Sequence, residues 1–238
     1  MRTTCLIASA MLLSLFGLLS PTSPAVAKTL AADWEMNEAP GASVMVDSTS
    51  NHHNGVIGSA AAAEGLTLGG GTYKWSLRCP TCAPTAPARV VQVADRSDLE
   101  VPNATVPYTL EVRFKTTKGY GNMVQKGQGG AAGGQIKIEN PNGFTQCVFD
   151  GAGSGPYVAV ASPVRLNDGV WHKFGCVHTA TAVETWVDGT RVAMKKVATG
   201  WIDNSWPFVV GGKSKCDQVK VTCDYFSGSM DWVRVSHG

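Results

Sequence analysis

Cys79-Pro80-Thr81-Cys82 has the spacing of a redox-active dithiol and equally of half a zinc site. The first needs a βαβ setting and the second needs another Cys or His pair at short spacing. Neither is present, so the pair reads as a clasp on a small loop. Trp171-His172 offers an imidazole, the usual general base near neutral pH. No motif fixes a Ser, Cys or acidic partner beside it, which leaves it structural. His52 and His53 are adjacent, and successive side chains on extended backbone point apart, so they read as solvated loop residues and not as a chelate. The run Gly127 to Gly134 has the glycine content of a phosphate cradle, but no helix start or Lys-Ser/Thr pair follows it, so it reads as a mobile surface loop. For binding chemistry the candidates are Tyr120, Tyr157, Trp201, Trp206 and Tyr225, whose rings could stack on sugars while nearby Asn and Asp take hydroxyls. Core or rim packing is the competing reading for most of them. No ligand-binding residue is singled out.

The segment that precedes all of these sets their compartment. Arg2 is followed by the weakly polar to apolar run Cys5 to Leu19, too short to span a bilayer, and then by Ser20, Pro21, Ser23, Pro24 and Ala25-Val26-Ala27. Residues 1–27 read as a signal peptide removed on export, leaving one domain over residues 28–238. Cys5 leaves with the leader, and six cysteines remain: Cys79, Cys82, Cys147, Cys176, Cys216 and Cys223. In an exported chain an even set implies disulfides. Cys216 and Cys223 flank a short hydrophilic segment and are placed to staple a loop. Cys147 and Cys176 sit in strand-like runs and are expected to join neighbouring strands. Lys and Arg number 20 against 18 Asp and Glu, with no basic stripe, so the chain is not expected to bind nucleic acid. Nor has the mature part a cationic amphipathic face for membrane insertion.

The elements that must position these residues are strands. Tyr108, Leu110, Val112 and Phe114 alternate with Thr109, Glu111, Arg113 and Lys115, a period of two that no helix can turn into one stripe. Similar runs are Arg89 to Ala94, Met123 to Lys126, Gln135 to Glu139, Thr145 to Phe149, Tyr157 to Ala161, Val170 to Val177, Val183 to Val187 and Met230 to Val235. Turn residues separate them: Asn140-Pro141-Asn142-Gly143, Asn167-Asp168-Gly169 and Asp188-Gly189. So many short strands must hide their apolar faces against a second sheet. The expected fold is all-β, an antiparallel two-sheet sandwich.

Several segments in order carry a family resemblance. Trp34-Glu35-Met36-Asn37-Glu38 with Asp47 to Gly55, Tyr108 to Phe114, Val124-Gln125-Lys126-Gly127 and Asp168-Gly169-Val170-Trp171-His172 are the first of them. Val187-Asp188-Gly189, Val210-Gly211-Gly212 and Phe226 to Val235 follow. The series resembles the concanavalin A-like superfamily, laminin G-like domains in particular, and looks like the exported bacterial type. The resemblance implies a jelly-roll sandwich and, near one rim, a calcium site. Its matching positions here are Asp47 and Asp231, with Glu38 and Asn51 as possible additions. Asp231 alternates with Val233 and Val235, and a carboxylate on an apolar face needs a partner.

The fold hosts lectins, adhesion modules, glucanases and lyases alike. The glucanase branch carries Glu-x-Asp-x-x-Glu on one strand, and Glu184-Thr185-Trp186-Val187-Asp188 does not match it. Glu111-Val112-Arg113 and Gln135-Ile136-Lys137 faintly resemble the catalytic strands of alginate lyases, with Lys137 where a His is expected. The reading is therefore a secreted, non-catalytic carbohydrate-binding or surface-adhesion module whose partner is a glycan or an extracellular or cell-surface protein. A polysaccharide-degrading enzyme of the same fold and a structural envelope protein are the alternatives.

Overall fold

The computed structural model describes residues 28–63, 65–76, 90–102, 106–152, 155–214 and 225–238. The leader, the Cys79–Cys82 clasp and the Cys216 and Cys223 pair lie outside the described residues. Among the described residues sixteen strands follow in chain order: β1 (Thr29–Trp34), β2 (Val44–Met45), β3 (Gly55–Ile57), β4 (Thr67–Gly69), β5 (Thr72–Trp75), β6 (Val91–Val93), β7 (Tyr108–Lys115) and β8 (Asn122–Gly127). The second half adds β9 (Gln135–Glu139), β10 (Gln146–Asp150), β11 (Tyr157–Ala161), β12 (His172–Thr179), β13 (Ala182–Val187), β14 (Thr190–Lys196), β15 (Phe208–Val210) and β16 (Gly228–His237). They form two eight-stranded sheets whose named pairings are antiparallel.

The first sheet runs β14-β13-β12-β7-β16-β5-β4, and β1 also pairs with β16. The ten-residue β16 carries β5 along its start, Gly228 to Met230, and β1 along its end, where Thr29 faces His237. The second sheet runs β11-β10-β9-β8-β15-β6-β3-β2. Between the sheets Leu110, Val112, Phe114, Phe174, Val233 and Val235 meet Ile136, Ile138, Phe149, Phe208, Val91 and Val93 in one buried cluster. Each such side chain withdrawn from water contributes about 1.5–3 kcal/mol, and alternation along the strand is what delivers them all to one side. Trp34 of the first sheet stacks on Phe208 of the second at 5.2 Å, with its indole N–H donated to the His53 carbonyl at 2.7 Å.

Three expectations need correction. Cys147 and Cys176 do form a disulfide, with Cα atoms 5.4 Å apart, but β10 and β12 belong to different sheets, so the bridge crosses the core instead of joining neighbours. His53 is buried beneath the β1 edge with its Nε2 2.7 Å from Asp98, whereas His52 stays exposed. The glycine-rich run after β8 is a surface loop tied down at its end: Asn204 donates its side-chain amide to the carbonyls of Gly133 and Gly134 at 3.3 and 3.0 Å. A Cβ on Gly133 would stand 2.0 Å from the Asp203 carbonyl oxygen, so that close approach requires glycine. At the β13–β14 hairpin, Asp188 and Gly189 both take positive φ, 49° and 84°, as a two-residue turn between twisted strands demands.

Candidate ligand cleft

The second sheet turns its outer side to a cleft of about 510 Å³, within the range of small-ligand sites. Its floor is set by strand alternation. On β9, Ile136 and Ile138 point into the core, which sends Gln135, Lys137 and Glu139 outward. On β8, Gln125 lies opposite Lys137, and Asn122 opposite Glu139. Gly119 to Gly121 and Asn140 to Asn142 build one rim, Gln128 and Gly129 another, and Lys213 completes the lining. Tyr120 stands exposed on the rim.

The floor is a polar relay. Asn122 donates its amide to Gln125 Oε1 at 2.8 Å, and Gln125 donates onward to the Gly127 carbonyl at 2.8 Å. Lys137 and Glu139 form an ion pair at 2.6 Å, and Gln146 donates to the other oxygen of Glu139 at 2.7 Å. One atom is left over. Asn122 is 1% exposed, yet its Oδ1 has no hydrogen-bond partner among the described residues. An unpaired buried acceptor costs about 1–3 kcal/mol.

The other aromatic candidates scatter. Tyr157 is exposed on the edge strand β11; Trp201 and Trp206 are half-buried, and the Trp206 carbonyl accepts from Lys126 at 2.8 Å. Tyr225 is half-buried and bridges to Asn122 through the backbone, next to the cleft. Of the five, Tyr120 alone lines the cleft. Spacing could not single out Asn122, Gln125 and Gln128: a run that is buried on both faces shows no alternation.

The expected calcium ligands are not brought together. Asp47 is buried, and its carboxylate accepts from the backbone N–H groups of Asp33, Thr49 and His53 and from the Thr49 hydroxyl, at 2.8–3.0 Å. Glu38 accepts from Val46 N–H and from the Tyr73 hydroxyl at 2.6 and 2.7 Å. The Asn51 side chain donates to the Ala31 carbonyl at 2.9 Å. Asp231 pairs with Arg113. A bulge between Met230 and Trp232 takes Asp231 off the face of Val233 and Val235, which corrects the alternation read from sequence. With the carboxylates of Asp47, Glu38 and Asp231 engaged by protein donors and the four residues not gathered at one point, the set does not fit a cation that wants six to eight oxygens. Among the described residues no group of three or more His, Cys, Asp or Glu could hold a metal.

His172 is a clasp. Its Nδ1 lies 2.9 Å from Asp188 and its Nε2 3.2 Å from Asp168, so both ring nitrogens are occupied. Partial burial lowers its pKa, but the two hydrogen bonds and the two carboxylate charges outweigh burial and raise it. The two strands that resemble a lyase also separate: Glu111 and Arg113 lie in the first sheet, and Gln135 and Lys137 in the second. Glu139 is the one carboxylate among the described residues lining the cleft, whereas glycosidases use two flanking the scissile bond.

Residues 88–238 match a laminin G family model described as the concanavalin A-like lectin/glucanases superfamily. The chain belongs to that superfamily. No curated protein sequence matches it. Among solved structures, this superfamily member is similar to the binding domain of the Paraclostridial mosquitocidal protein 1, at 10% identity and a TM-score of 0.59 over 87% of this chain and 48% of that one. Domains LG4-5 of the mouse laminin alpha1 chain align at 14% identity and a TM-score of 0.47, over 58% of this chain and 40% of that one. The chain thus spans less than half the length of either structure, and these likenesses concern the fold. Among the described residues no helix is long and apolar enough to cross a membrane.

Proposed function

We propose that the protein is an extracellular binding module that takes a short stretch of carbohydrate in the cleft over β8 and β9. The observation that carries this reading is a cleft lined by the amides of Asn122, Gln125, Gln128 and Gln135, with the Lys137–Glu139 ion pair beside them and Tyr120 on the rim. Sugar hydroxyls donate and accept at once, and such a floor offers both senses of hydrogen bond. A ring stacked on Tyr120 would add apolar contact. The single lining carboxylate favours holding a glycan over cleaving it. The disulfide across the core supports an oxidising compartment, in keeping with the leader read in residues 1–27. The likeness to a toxin's binding domain supports a binding role at the level of fold.

The test is a glycan array followed by calorimetry on purified protein, with a reducing-sugar assay on every glycan that binds. Binding that weakens about tenfold in Tyr120→Ala and in Lys137→Gln, each a loss of ~1.4 kcal/mol, supports the reading. Product release overturns the non-catalytic part, and binding indifferent to both substitutions overturns the site.

A further inference from the structure

The first sheet holds a second concavity on its outer side. It is a slot of about 280 Å³ lined by Lys28, Thr109, Glu111, Lys173, Gly175, Val177, Trp186 and Gly189. Its floor is Gly175, in the interior of the central strand β12, between Glu111 on β7 and Trp186 on β13. Glycine there weakens the strand by roughly 0.5–1 kcal/mol relative to alanine. Nothing in the fold asks for it. Its φ is not positive, and a Cβ would meet its nearest atoms, Trp186 Cβ and Glu111 Cγ, at ordinary distances of 3.4 and 3.7 Å. Trp186 lines the slot beside the glycine. Its indole N–H is donated along its own strand to Glu184 at 2.9 Å. Bare backbone in a strand interior marks a place where another group comes close.

The charges say which group. Lys173 lies 2.8 Å and Lys28 3.2 Å from the Glu111 carboxylate. Partial burial pushes the pKa of Glu111 up, but the hydrogen bond from Lys173 and the charges of both lysines more than reverse this, so the carboxyl is held ionised. The slot therefore carries two ammonium groups against one carboxylate, a surplus of one positive charge. The neighbouring cations are matched: Arg113 by Asp231, Arg234 by Asp33 and Arg191 by Glu184.

We propose that the Gly175 slot is a second saccharide site that takes one sugar residue bearing a carboxylate, with the ring against Trp186 over the bare Gly175 backbone and the carboxylate at Lys28 and Lys173. It goes beyond the cleft over β8 and β9, since it lies on the opposite sheet and its ligand is chosen by charge. A module of this form would carry a glycan site on each outer face.

The probe is trigalacturonate, with neutral galactotriose and a sulfated galactose as comparators, followed by nuclear magnetic resonance on purified protein. Trigalacturonate is expected to shift the Gly175 amide and the Trp186 indole N–H. Affinity should fall about tenfold in Lys173→Gln and in Gly175→Val, whose side chain fills the slot, and stay unchanged in Tyr120→Ala. Gly175→Val is expected to melt no lower than the parent; should it unfold, Lys173→Gln and the wild-type shifts decide. Shifts confined to Asn122 and Gln125, equal binding of the neutral sugar, preference for the sulfated one, or indifference to Lys173→Gln would each overturn the proposal. Loss of cleft binding in Tyr120→Ala with this site intact separates its fate from that of the first reading.

Discussion

His178 of β12 stacks face to face on Phe149 of β10, with ring centroids 4.3 Å apart and planes 10° apart. The imidazole is a polar group placed in the seam between two sheets, and its Nε2 reaches the Thr199 hydroxyl at 2.7 Å. Burial pushes its pKa down to about 4. The native state therefore holds the neutral ring, and the unfolded state takes up the proton first.

Stability is accordingly expected to be full above the ordinary histidine pKa of about 6.5 and to fall as pH drops toward 4, by roughly 2–3 kcal/mol for this one group. Denaturant midpoints at pH 7 and pH 4.5 measure it. His178→Phe should flatten the difference between those two midpoints; an unchanged difference would remove His178 as its cause.

His172 has the opposite sign. Its raised pKa means that the contribution of the Asp168 and Asp188 clasp is complete below pH 6.5 and fades as pH climbs through the folded value. The site is partly exposed, so the effect is small, and histidine titration followed by nuclear magnetic resonance reads it best. A folded pKa below 6.5 would contradict the clasp.

The Asp47 carboxylate is held by the protein's own donors. Four donors converge on its buried carboxylate, three of them backbone N–H groups that Asp47→Ala would strand. A loss of about 3–5 kcal/mol is expected in urea melts. Chelation by EDTA should leave the melting temperature where it was; an EDTA-sensitive midpoint restored by calcium would show a cation bound in the native state.

Lys126 is fully buried, and its ammonium meets Asp95 at 2.7 Å, Glu100 at 3.3 Å and the carbonyls of Asn204 and Trp206 at 2.7 and 2.8 Å. Lys126→Met strands acceptors from two separate segments, residues 95–100 and 204–206, and about 3–5 kcal/mol should be lost. Hydrogen exchange ought to speed up selectively around residues 203–206, and uniform acceleration would argue against a local clamp.

The Cys147–Cys176 bridge closes a loop with a sequence separation of 29, and chain entropy assigns it about 3–4 kcal/mol. Both cysteines are buried, so dithiothreitol should reduce the bridge only on a timescale set by opening of the sandwich. Rapid reduction in native buffer would show that the bridge is reachable without unfolding.

Much of the sandwich was legible because one-sided burial writes a period of two into β7, and β9 and β11 begin and end where their alternation does. The losses have physical causes. β14 is an edge strand whose side chains are mostly exposed, with Arg191, Lys195 and Lys196 guarding its free side, so no core face marks it. The bulge in β16 moves Asp231 across the sheet by one inserted residue, which alternation cannot foresee. All six residues of β8 are buried, and the amides at the floor of the cleft therefore look like ordinary strand interior. Tyr120 was visible as an aromatic in a loop; its neighbours became a site only through the pairing of β8 with β9.

The pairing of Thr29 with His237 also sets how the module answers tension. Forces pulling outward from positions 29 and 237 act at the same end of an antiparallel pair, so they peel β1 from β16 rung by rung, as a zipper opens, in place of loading all the rungs together. Pulled from those two positions, this seam would yield first, while the cross-linked centre of the sandwich stayed whole.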